Sequence, residues 1–515
     1  MSLPIVNELV SSMITRVDRR RIKREVRQFF RYVMLSHTWE ENEPLFQLVV
    51  QMAVYDLDDT PTHDKLKTFC KIVREAGFKW AWSDTCCIEK QDHFVLQEAL
   101  VAMFKWYRGA EIVFVFLRGV RSAGKLGDLM RSIWNTRAWT LQEYVAAKVI
   151  RFYTEEWTPY LNLDIFNHKE SPIIIKEMEE ATEVSAQQLA TLRPGLSSIR
   201  GKLRLASTRQ TTLVEDAAYS LLAIFSVSGL SAIYGEGENA LGRLLAHILA
   251  VSGDTRILAW TGQSGGHNSC LPAHIIVFKQ SSMSHLPRAI ENDEMTTNIT
   301  QLRSARLDLD LAMKLYDQLN NLPAPWFAAS RMKLPCIAFK LPPLLPSRAS
   351  SNRVYHVDTP FFGTVEIKTR QDLSWSNSLY LVHPWLDVLL DREETQTDTM
   401  EDESAEDLEA SLRDTDDEED VDEVGEDDAA LLRDRKSTSS PAGVDAVRLD
   451  KETRALRLVA HLRQPFGALL LSLSSTRPRS VVYKRVAADS EITVQLREDV
   501  PLRNILDNVR ILDVL

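Results

Sequence analysis

Four short apolar runs, separated by two helical patterns, constrain the fold of this chain most strongly. The strand-like runs are residues 32–37, 79–86, 111–117 and 148–154. Residues 65–78 and 96–110 carry apolar side chains at three- and four-residue spacing and end near Gly77 and Gly109. Strands joined by helices of this length imply crossover connections and a parallel sheet with helices on both faces. The pattern therefore predicts a doubly wound α/β domain.

Polar residues lie at or beyond the ends of these predicted strands. Ligands of doubly wound domains bind outside the carboxyl ends of the strands, so residues in these positions are candidates for a site. The candidates are Ser36 and His37 after the first strand, Asp84 after the second, Arg118 after the third, and Trp139 and Glu143 in the segment that follows. Because a Ser or Asp at a strand end also commonly caps a loop, a purely structural role stays open for them.

The C-terminal half has a different pattern. Short β-type runs at residues 354–369, 378–383, 455–462, 467–474 and 491–496 predict a mainly antiparallel sheet. Between them, residues 391–428 hold 21 acidic and two basic residues, a composition that predicts a disordered insertion. The predicted divisions are a basic helix (1–31), the α/β domain (32–200), its helical extension (201–265), a β-rich domain in two parts (266–390 and 444–515) and the acidic insertion (391–443).

Charge and cysteine content narrow the class of protein further. The net charge of −11 comes from the acidic insertion. The eight basic residues of segment 16–31 favour a solvated helix face over a nuclear-import or anionic-surface signal, and nothing else in the sequence suggests nucleic-acid binding. Five irregularly spaced cysteines predict reduced thiols. The chain has no run of about 18 apolar residues and no apolar leader. We therefore expect a cytoplasmic protein without a membrane span.

Two short motifs suggest alternative chemistry. Residues 53–62 match the D-x-D-x-T pattern of haloacid-dehalogenase-type phosphatases, with Asp56 as nucleophile and Asp58 as acid/base. That pattern requires a strand before Asp56, and residues 44–55 fit a buried helix equally well.

The second motif is the adjacent pair Cys86 and Cys87, with His37 and His93 as conceivable neighbours. These residues could supply a thiol nucleophile or zinc ligands. Adjacent cysteines do not easily reach one tetrahedral ion together, so we expect buried, inert thiols and no metal site.

Several segments in sequence resemble the fungal heterokaryon incompatibility (HET) domain family. They are LSHTW (35–39), WSDTCCI (82–88), MFKWY (103–107) and RAWTLQE (137–143), followed by 208–225, 234–240 and 254–260. The chain departs from the family's usual residues at Glu40 and Ala138, where the family has Gly, and at Ser83, where it has Ile. The resemblance covers residues 32 to about 260. It implies a role in self/non-self recognition and cell death, and a fold similar to Toll/interleukin-1 receptor (TIR) and flavodoxin-like domains.

The similarity to TIR domains implies a catalytic role for Glu143. TIR members that cleave NAD use the Glu of a W-x-x-x-E pattern, which corresponds here to Trp139 and Glu143. Cleavage of the nicotinamide–ribose bond passes through an oxocarbenium-like state that one carboxylate can stabilise, and nicotinamide leaves without protonation. NAD would then be a substrate, and no cofactor is expected. Ser36 and His37 would contact the nucleotide, Asp84 a ribose hydroxyl, Arg118 a phosphate, and Trp139 would form an apolar wall.

Two alternatives to catalysis stay open. Thr140 and Glu143 also fit a capping box, in which the carboxylate accepts a backbone N–H at the start of a helix and does no chemistry. At the level of function, the alternative is a non-catalytic signalling module that self-associates through the TIR-like domain or binds an unknown protein partner.

Overall fold

The described part of the chain comprises most of both predicted folded regions. A computed structural model of the protein describes residues 19–182, 184–280, 292–304, 307–343, 353–373, 378–385, 441–477 and 480–515. Most of the predicted acidic insertion and the first 18 residues of the predicted basic helix lie outside the described residues. Helix α1 (Arg19–Phe29) covers the remainder of the basic segment.

The N-terminal part contains a four-stranded parallel sheet, as predicted. Its strands are β1 (Tyr32–Ser36), β2 (Trp80–Ser83), β3 (Ile112–Leu117) and β4 (Ile150–Thr154). They lie in the order β2-β1-β3-β4. All three pairings are parallel, so the carboxyl ends of the four strands lie along one edge of the sheet.

Helices connect and follow these strands. They are α2 (Phe46–Val49), α3 (Pro61–Glu75), α4 (His93–Gly109), α5 (Asp128–Arg131), α6 (Ile133–Thr136), α7 (Trp139–Ala146), α8 (Pro172–Thr182), α9 (Ala186–Thr191), α10 (Ile199–Ser207), α11 (Asp216–Tyr219) and α12 (Asn239–Ser252). Short 3-10 helices are Val54–Asp56, Tyr160–Asn162, His168–Glu170, Thr255–Leu258 and Ile275–Lys279. The two predicted helices correspond to α3 and α4. Thr60 caps α3 and Asp92 caps α4, each by accepting backbone N–H groups of the first turn.

Helices cover both faces of the parallel sheet. Because neighbouring side chains of a strand point to opposite faces, Leu35 packs in one core cluster with Phe69 of α3. Met34 packs in another cluster with Phe104 of α4. This arrangement confirms the predicted α/β architecture and explains why the strands are apolar at nearly every position.

The C-terminal part contains a small barrel. Strands of this part are β5 (Trp326–Ala328), β6 (Arg331–Lys340), β7 (Val354–Thr359), β8 (Gly363–Lys368), β9 (Leu379–Pro384), β10 (Phe466–Arg477), β11 (Ser480–Arg485), β12 (Ile492–Val494) and β13 (Val509–Val514). Strands β10, β11, β13, β6 and β9 pair in a closed ring. All of its pairings are antiparallel except that between β11 and β13. Strands β7 and β8 form a separate hairpin.

One predicted strand of this half is wrong. Helices here are α13 (Asn292–Ser304), α14 (Leu309–Asn320), α15 (Pro441–Leu462) and α16 (Leu502–Leu506). Residues 455–462, predicted as a strand, form the end of α15. The buried residues Ala455, Leu456, Val459 and Leu462 recur at helical spacing, and they pack in one cluster with α13 and α14.

One apolar core links the N-terminal and C-terminal parts. The same cluster contains Leu117 of β3, Leu244 of α12 and Leu334 of β6. The core therefore continues across the predicted division at residue 266, and the domain boundaries stay a prediction. Among the described helices, none combines the length and the apolar character that crossing a membrane requires.

Candidate functional site

Ser36 and Glu143 meet at the edge of the sheet where the chain changes direction. From β1 the chain leads to β2 on one side, and then crosses to β3 on the other. Ligands of doubly wound sheets bind at such a switch point. Ser36 ends β1, and its hydroxyl donates a hydrogen bond to the carboxyl of Glu143, which lies in the middle of α7. Two candidates that are 107 residues apart in sequence are thus in contact.

A chain of polar groups surrounds this contact. The indole Nε1–H of Trp134 donates to Ser36 Oγ at 2.7 Å. The hydroxyl of Tyr107 donates to the Leu35 carbonyl oxygen at 3.2 Å and also hydrogen-bonds with the Glu143 carboxyl. All of these side chains are buried, and Glu143 is 4% exposed. The carboxyl is therefore held by side chains of β1 and α4, with Trp134 as a second layer.

Burial makes this carboxyl a weak acid. It raises the pKa of Glu143 to about 8, and the nearby charge of Asp84 contributes in the same direction. The hydrogen bonds that Glu143 shares with Ser36 and Tyr107 and the charge of Arg209 oppose the increase. At neutral pH the Glu143 carboxyl is therefore largely protonated in this conformation.

The capping-box prediction for Glu143 is wrong. Helix α7 begins at Trp139, and the preceding residue, Ala138, makes no side-chain cap. The Thr140 hydroxyl donates instead to the carbonyl oxygens of Trp134 and Arg137. Glu143 lies in the second turn, where the backbone N–H groups are already bonded within the helix.

Trp139 does not belong to the group around Ser36. Its indole hydrogen-bonds with Asp216, and its ring packs against the main core. The tryptophan that reaches the Ser36–Glu143 pair is Trp134. The structure thus gives the predicted wall residue a packing role, and it places a different indole next to Ser36.

His37 and Asp84 form a second polar group next to the first. The His37 side chain is fully buried, and its Nε2 lies 3.8 Å from Asp84 Oδ1 and 3.9 Å from Glu43 Oε1. Burial and the charges of Lys65 and Lys90 lower the pKa of His37 well below its usual value, so the ring is neutral. Within the described residues, neither ring nitrogen has a hydrogen-bond partner.

Asp84 and Arg118 are engaged by protein groups. The Asp84 carboxylate accepts the Trp39 indole N–H at 2.7 Å, and burial raises the pKa of Asp84. Arg118 Nε lies 3.1 Å from the carboxylate of Glu40. The guanidinium that we predicted to contact a phosphate is therefore paired with Glu40, at a position where the family usually has Gly.

Three cavities of the described part are lined by residues other than Glu143. A cavity of about 270 Å³ lies between Arg200, Trp260 and Arg485, and one of about 240 Å³ is lined by Phe29 and Phe78. A third, of about 290 Å³, is lined by residues from α4 and segment 231–234. Glu143 lines none of these three cavities.

The competing motifs give no catalytic site. Asp56 ends an exposed 3-10 helix and no strand precedes it, so the phosphatase prediction is wrong. Within the described ranges, no group of three or more His, Cys, Asp or Glu side chains is arranged to hold a metal ion. Cys86 is buried as predicted, but Cys87 is exposed.

Sequence patterns did not single out three members of the site. Tyr107 and Trp134 look like ordinary core residues in the sequence, and both are indeed buried. Arg209 is buried too, and donates to the Arg137 carbonyl oxygen at 2.9 Å and to Thr140 Oγ1 at 3.0 Å. Arg209 lies in the polar segment STRQTT (207–212), where an arginine gives no signal of a buried role, and only the fold brings it to α7.

Comparisons with known proteins agree with the resemblance seen in the motifs. The family profile described as "Heterokaryon incompatibility protein (HET)" matches residues 32–128, which end before Trp139 and Glu143. "Vegetative incompatibility protein HET-E-1" of Podospora anserina is 33% identical over 227 residues. This similarity covers 41% of the chain and only 16% of that relative. No solved structure matches the chain. The profile match and this similarity show a heterokaryon incompatibility (HET) domain in the N-terminal α/β part of the chain.

Proposed function

We propose that this chain acts in heterokaryon incompatibility of filamentous fungi, as part of self/non-self recognition and cell-death signalling. The HET profile match and the 33% identity to a vegetative incompatibility protein support this role. We propose also that the HET domain has a TIR-like, flavodoxin-like fold. The strand order β2-β1-β3-β4 supports that relationship, because flavodoxin-like sheets begin with the same order.

Within this role, the HET domain is a signalling module that acts without catalysis. The observation that carries this proposal is the enclosure of Glu143, which is 4% exposed and whose pKa is raised to about 8. A protonated carboxyl has no charge with which to stabilise an oxocarbenium-like state. An enclosed carboxyl also has no contact with a substrate.

An exposed apolar patch supports self-association as the mode of action. Phe94, at the start of α4, is 84% exposed, and Tyr234 lines the same cavity of about 290 Å³. The neighbouring Ile233 is 50% exposed. Contiguous exposed apolar side chains mark interaction surfaces. We take a second copy of the chain as the partner of this patch.

Light scattering after size-exclusion chromatography over a series of concentrations tests the association. The wild-type chain should form assemblies that Phe94→Asp prevents. Val251→Asp is the matched control, because Val251 is 63% exposed on α12 outside the patch, and this variant should assemble normally. A wild-type chain that stays monomeric at every concentration contradicts the proposal. In a filamentous fungus, expression of the wild-type chain should reduce survival, and Phe94→Asp should restore it.

NAD hydrolysis is the second candidate, and the position of the Ser36–Glu143 pair favours it. The pair lies at the switch point of the sheet, and carboxyl groups with displaced pKa values cluster at functional sites. In this candidate mechanism the group around Ser36 opens, Glu143 loses its proton, and its carboxylate stabilises the ribosyl cation as nicotinamide leaves. Trp134 and Ser36 orient the carboxylate.

Incubation of the assembled protein with NAD, with free nicotinamide as the readout, separates the two candidates. The first candidate expects no release above that of a heat-denatured sample. The second expects release that Glu143→Ala and Glu143→Gln both abolish. Glu177→Gln is the matched control, because Glu177 is another buried glutamate, whose carboxyl accepts a hydrogen bond from Tyr160. Release that survives in both Glu143 variants excludes Glu143 as the catalytic residue.

A further inference from the structure

Cys86 and Cys87 follow β2 in a turn next to Asp84. Their backbone N–H groups both donate to the Ser83 carbonyl oxygen, at 3.3 Å and 2.9 Å, and so fix the turn. The two sulfur atoms lie 4.0 Å apart. Cys86 is buried, whereas Cys87 is exposed. The turn thus presents one accessible thiol with a second thiol directly behind it.

The surroundings of the two thiols differ in a way that activates Cys87. The backbone N–H of Ser83 donates a hydrogen bond to Cys87 Sγ at 3.4 Å, and the Cys86 thiol lies within hydrogen-bond distance of the same sulfur. Both contacts favour a thiolate at Cys87. The Cys86 hydrogen bond is the largest contribution, and the pKa of Cys87 is lowered to about 7. The same hydrogen bond and burial raise the pKa of Cys86, which keeps its proton. An accessible thiolate is the reactive form of cysteine.

The other cysteines lack this combination. Burial raises the pKa of Cys70 to about 11 and that of Cys270 to about 12. Burial also raises the pKa of Cys336. Thiols in such surroundings stay protonated at neutral pH and react slowly. Oxidation at neutral pH should therefore begin at Cys87.

We propose that Cys86 and Cys87 form a redox-modification site, which a hydroperoxide oxidises to a disulfide between the adjacent residues. With hydrogen peroxide, the Cys87 thiolate attacks one oxygen, the O–O bond breaks, and the leaving hydroxide takes a proton to form water; an organic hydroperoxide releases the corresponding alcohol instead. Cys87 is then a sulfenic acid. The Cys86 sulfur attacks Cys87 Sγ, the S–O bond breaks, and the hydroxyl leaves as water with the Cys86 proton. Two thiol sulfurs lose two electrons in total, and the peroxide gains them.

The product should be easily reversed. Adjacent Cα atoms are about 3.8 Å apart, which is shorter than the usual spacing across a disulfide of roughly 4.4–6.8 Å. A disulfide between neighbours is therefore strained, and strained disulfides are reduced more readily than structural ones. The modification should form with peroxide and be removed by ordinary thiols.

The experiment uses the full chain, hydrogen peroxide at pH 7, alkylation of the remaining thiols and tryptic digestion. Cleavage after Lys79 and Lys90 gives the peptide 80–90, which contains Cys86 and Cys87 as its only cysteines. It should become lighter by two hydrogen atoms, and dithiothreitol should restore its mass. Cys70 lies in a different tryptic peptide, 68–71, so a Cys70–Cys87 disulfide would instead link two peptides.

Variants separate the roles of the two thiols. Cys87→Ser should slow peroxide consumption by at least about tenfold, because it removes the activated thiolate. Cys86→Ser should still react, but should accumulate a sulfenic acid that dimedone traps. Cys70→Ser is the control and should leave the peptide's oxidation unchanged. A cross-link between peptides 68–71 and 80–90, or unchanged peroxide consumption in Cys87→Ser, would overturn the proposal.

Discussion

The N-terminal domain buries the carboxyl of Glu143 among side chains, whereas the C-terminal barrel buries the guanidinium of Arg485 among backbone carbonyls. Arg485 donates to the carbonyl oxygens of Leu258 at 2.9 Å and Trp260 at 2.6 Å, and it lies 3.8 Å above the Trp260 ring. It ends β11 and joins the barrel to segment 255–270, which follows α12. Both groups are nearly inaccessible to solvent, at 4% and 7% exposure.

The two groups respond differently to burial. Burial raises the pKa of Glu143 to about 8 and lowers that of Arg485 to about 10. At neutral pH the carboxyl therefore loses most of its charge, and the guanidinium keeps it. Arg485 therefore stays charged, and keeps its hydrogen bonds to the carbonyl oxygens, over the physiological pH range. The Glu143 carboxyl, in contrast, can gain or lose its charge within that range. We therefore expect the stability of the N-terminal part to depend on pH near neutrality.

Removal of Arg485 should have the largest effect. Arg485→Ala removes the donor to the buried Trp260 carbonyl oxygen and one of two donors to the Leu258 carbonyl oxygen, which keeps the backbone N–H of Trp260. It also removes the stacking on the Trp260 ring, so we expect a loss of about 4 kcal/mol in unfolding free energy. Urea unfolding at pH 7, followed by tryptophan fluorescence, measures it. Arg370→Ala removes an exposed ion pair with Asp489 and should cost less than about 1 kcal/mol. Equal effects of the two variants would contradict a special role for Arg485.

Removal of the Ser36 hydroxyl should have a smaller effect. Ser36→Ala leaves the Trp134 indole N–H and the Glu143 carboxyl without their shared partner, and about 2 kcal/mol of stability should be lost. Ser83→Ala is the matched control at the end of β2, where the hydroxyl hydrogen-bonds with that of Thr85. Urea unfolding should give a smaller loss for the control. The opposite order would mean that the Ser36 contact does not stabilise the cluster.

Raising the pH should weaken the N-terminal cluster. Glu143 has a raised pKa in the folded chain, so between its ordinary pKa and about 8 the folded state binds the proton that the unfolded state has lost. Stability should therefore fall as pH rises through this window, by up to about 1.4 kcal/mol per pH unit. Glu143→Gln cannot titrate and should lack this slope.

Unfolding midpoints of wild type and Glu143→Gln between pH 6.5 and 8 measure the difference. His37 has a lowered pKa in the folded chain, so it is neutral there in this range, and its own contribution appears only as pH falls below its usual pKa. The contribution of His37 is the same in the wild type and in Glu143→Gln, so it cancels in the difference between them. Parallel curves for wild type and the Gln variant would show that Glu143 is ionised in the folded state.

The smallest effect is expected at Arg118. Its side chain is 46% exposed and its partner is Glu40, so Arg118→Ala should change stability by less than about 1 kcal/mol. The same variant should leave nicotinamide release unchanged if Glu40 already holds the guanidinium. If Arg118→Ala lost NAD binding in a titration, Arg118 would after all contact a phosphate of NAD.

Periodicity predicted the elements that are regular and buried. The strands β1 to β4 are apolar along most of their length because helices cover both faces, and α3 and α4 carry their apolar side chains at helical spacing. Segment 455–462 was mispredicted because a short run of leucine, valine and alanine fits a strand as well as a helix. The packing of this segment against α13 and α14 stabilises the helical conformation.

The site was predictable only in part. The sequence placed Ser36, Asp84 and Glu143 near one edge, because parallel strands end on the same side of a sheet. It could not select Trp134 over Trp139 as the indole next to Ser36, since both tryptophans lie in short helical segments close to Glu143. The sequence also could not predict the ion pair between Glu40 and Arg118, because that pairing depends on how the loop after β1 folds.

By itself, the sequence determined the α/β order of the N-terminal part, its similarity to HET domains and the chemical types available at the strand ends. These follow from local periodicity and from motifs that short segments contain. Only the tertiary structure decided the burial of Glu143, the contacts of the Cys87 thiol and the hydrogen bonds of Arg485. Each depends on burial and on hydrogen bonds between groups whose contacts are set when the helices and strands pack together.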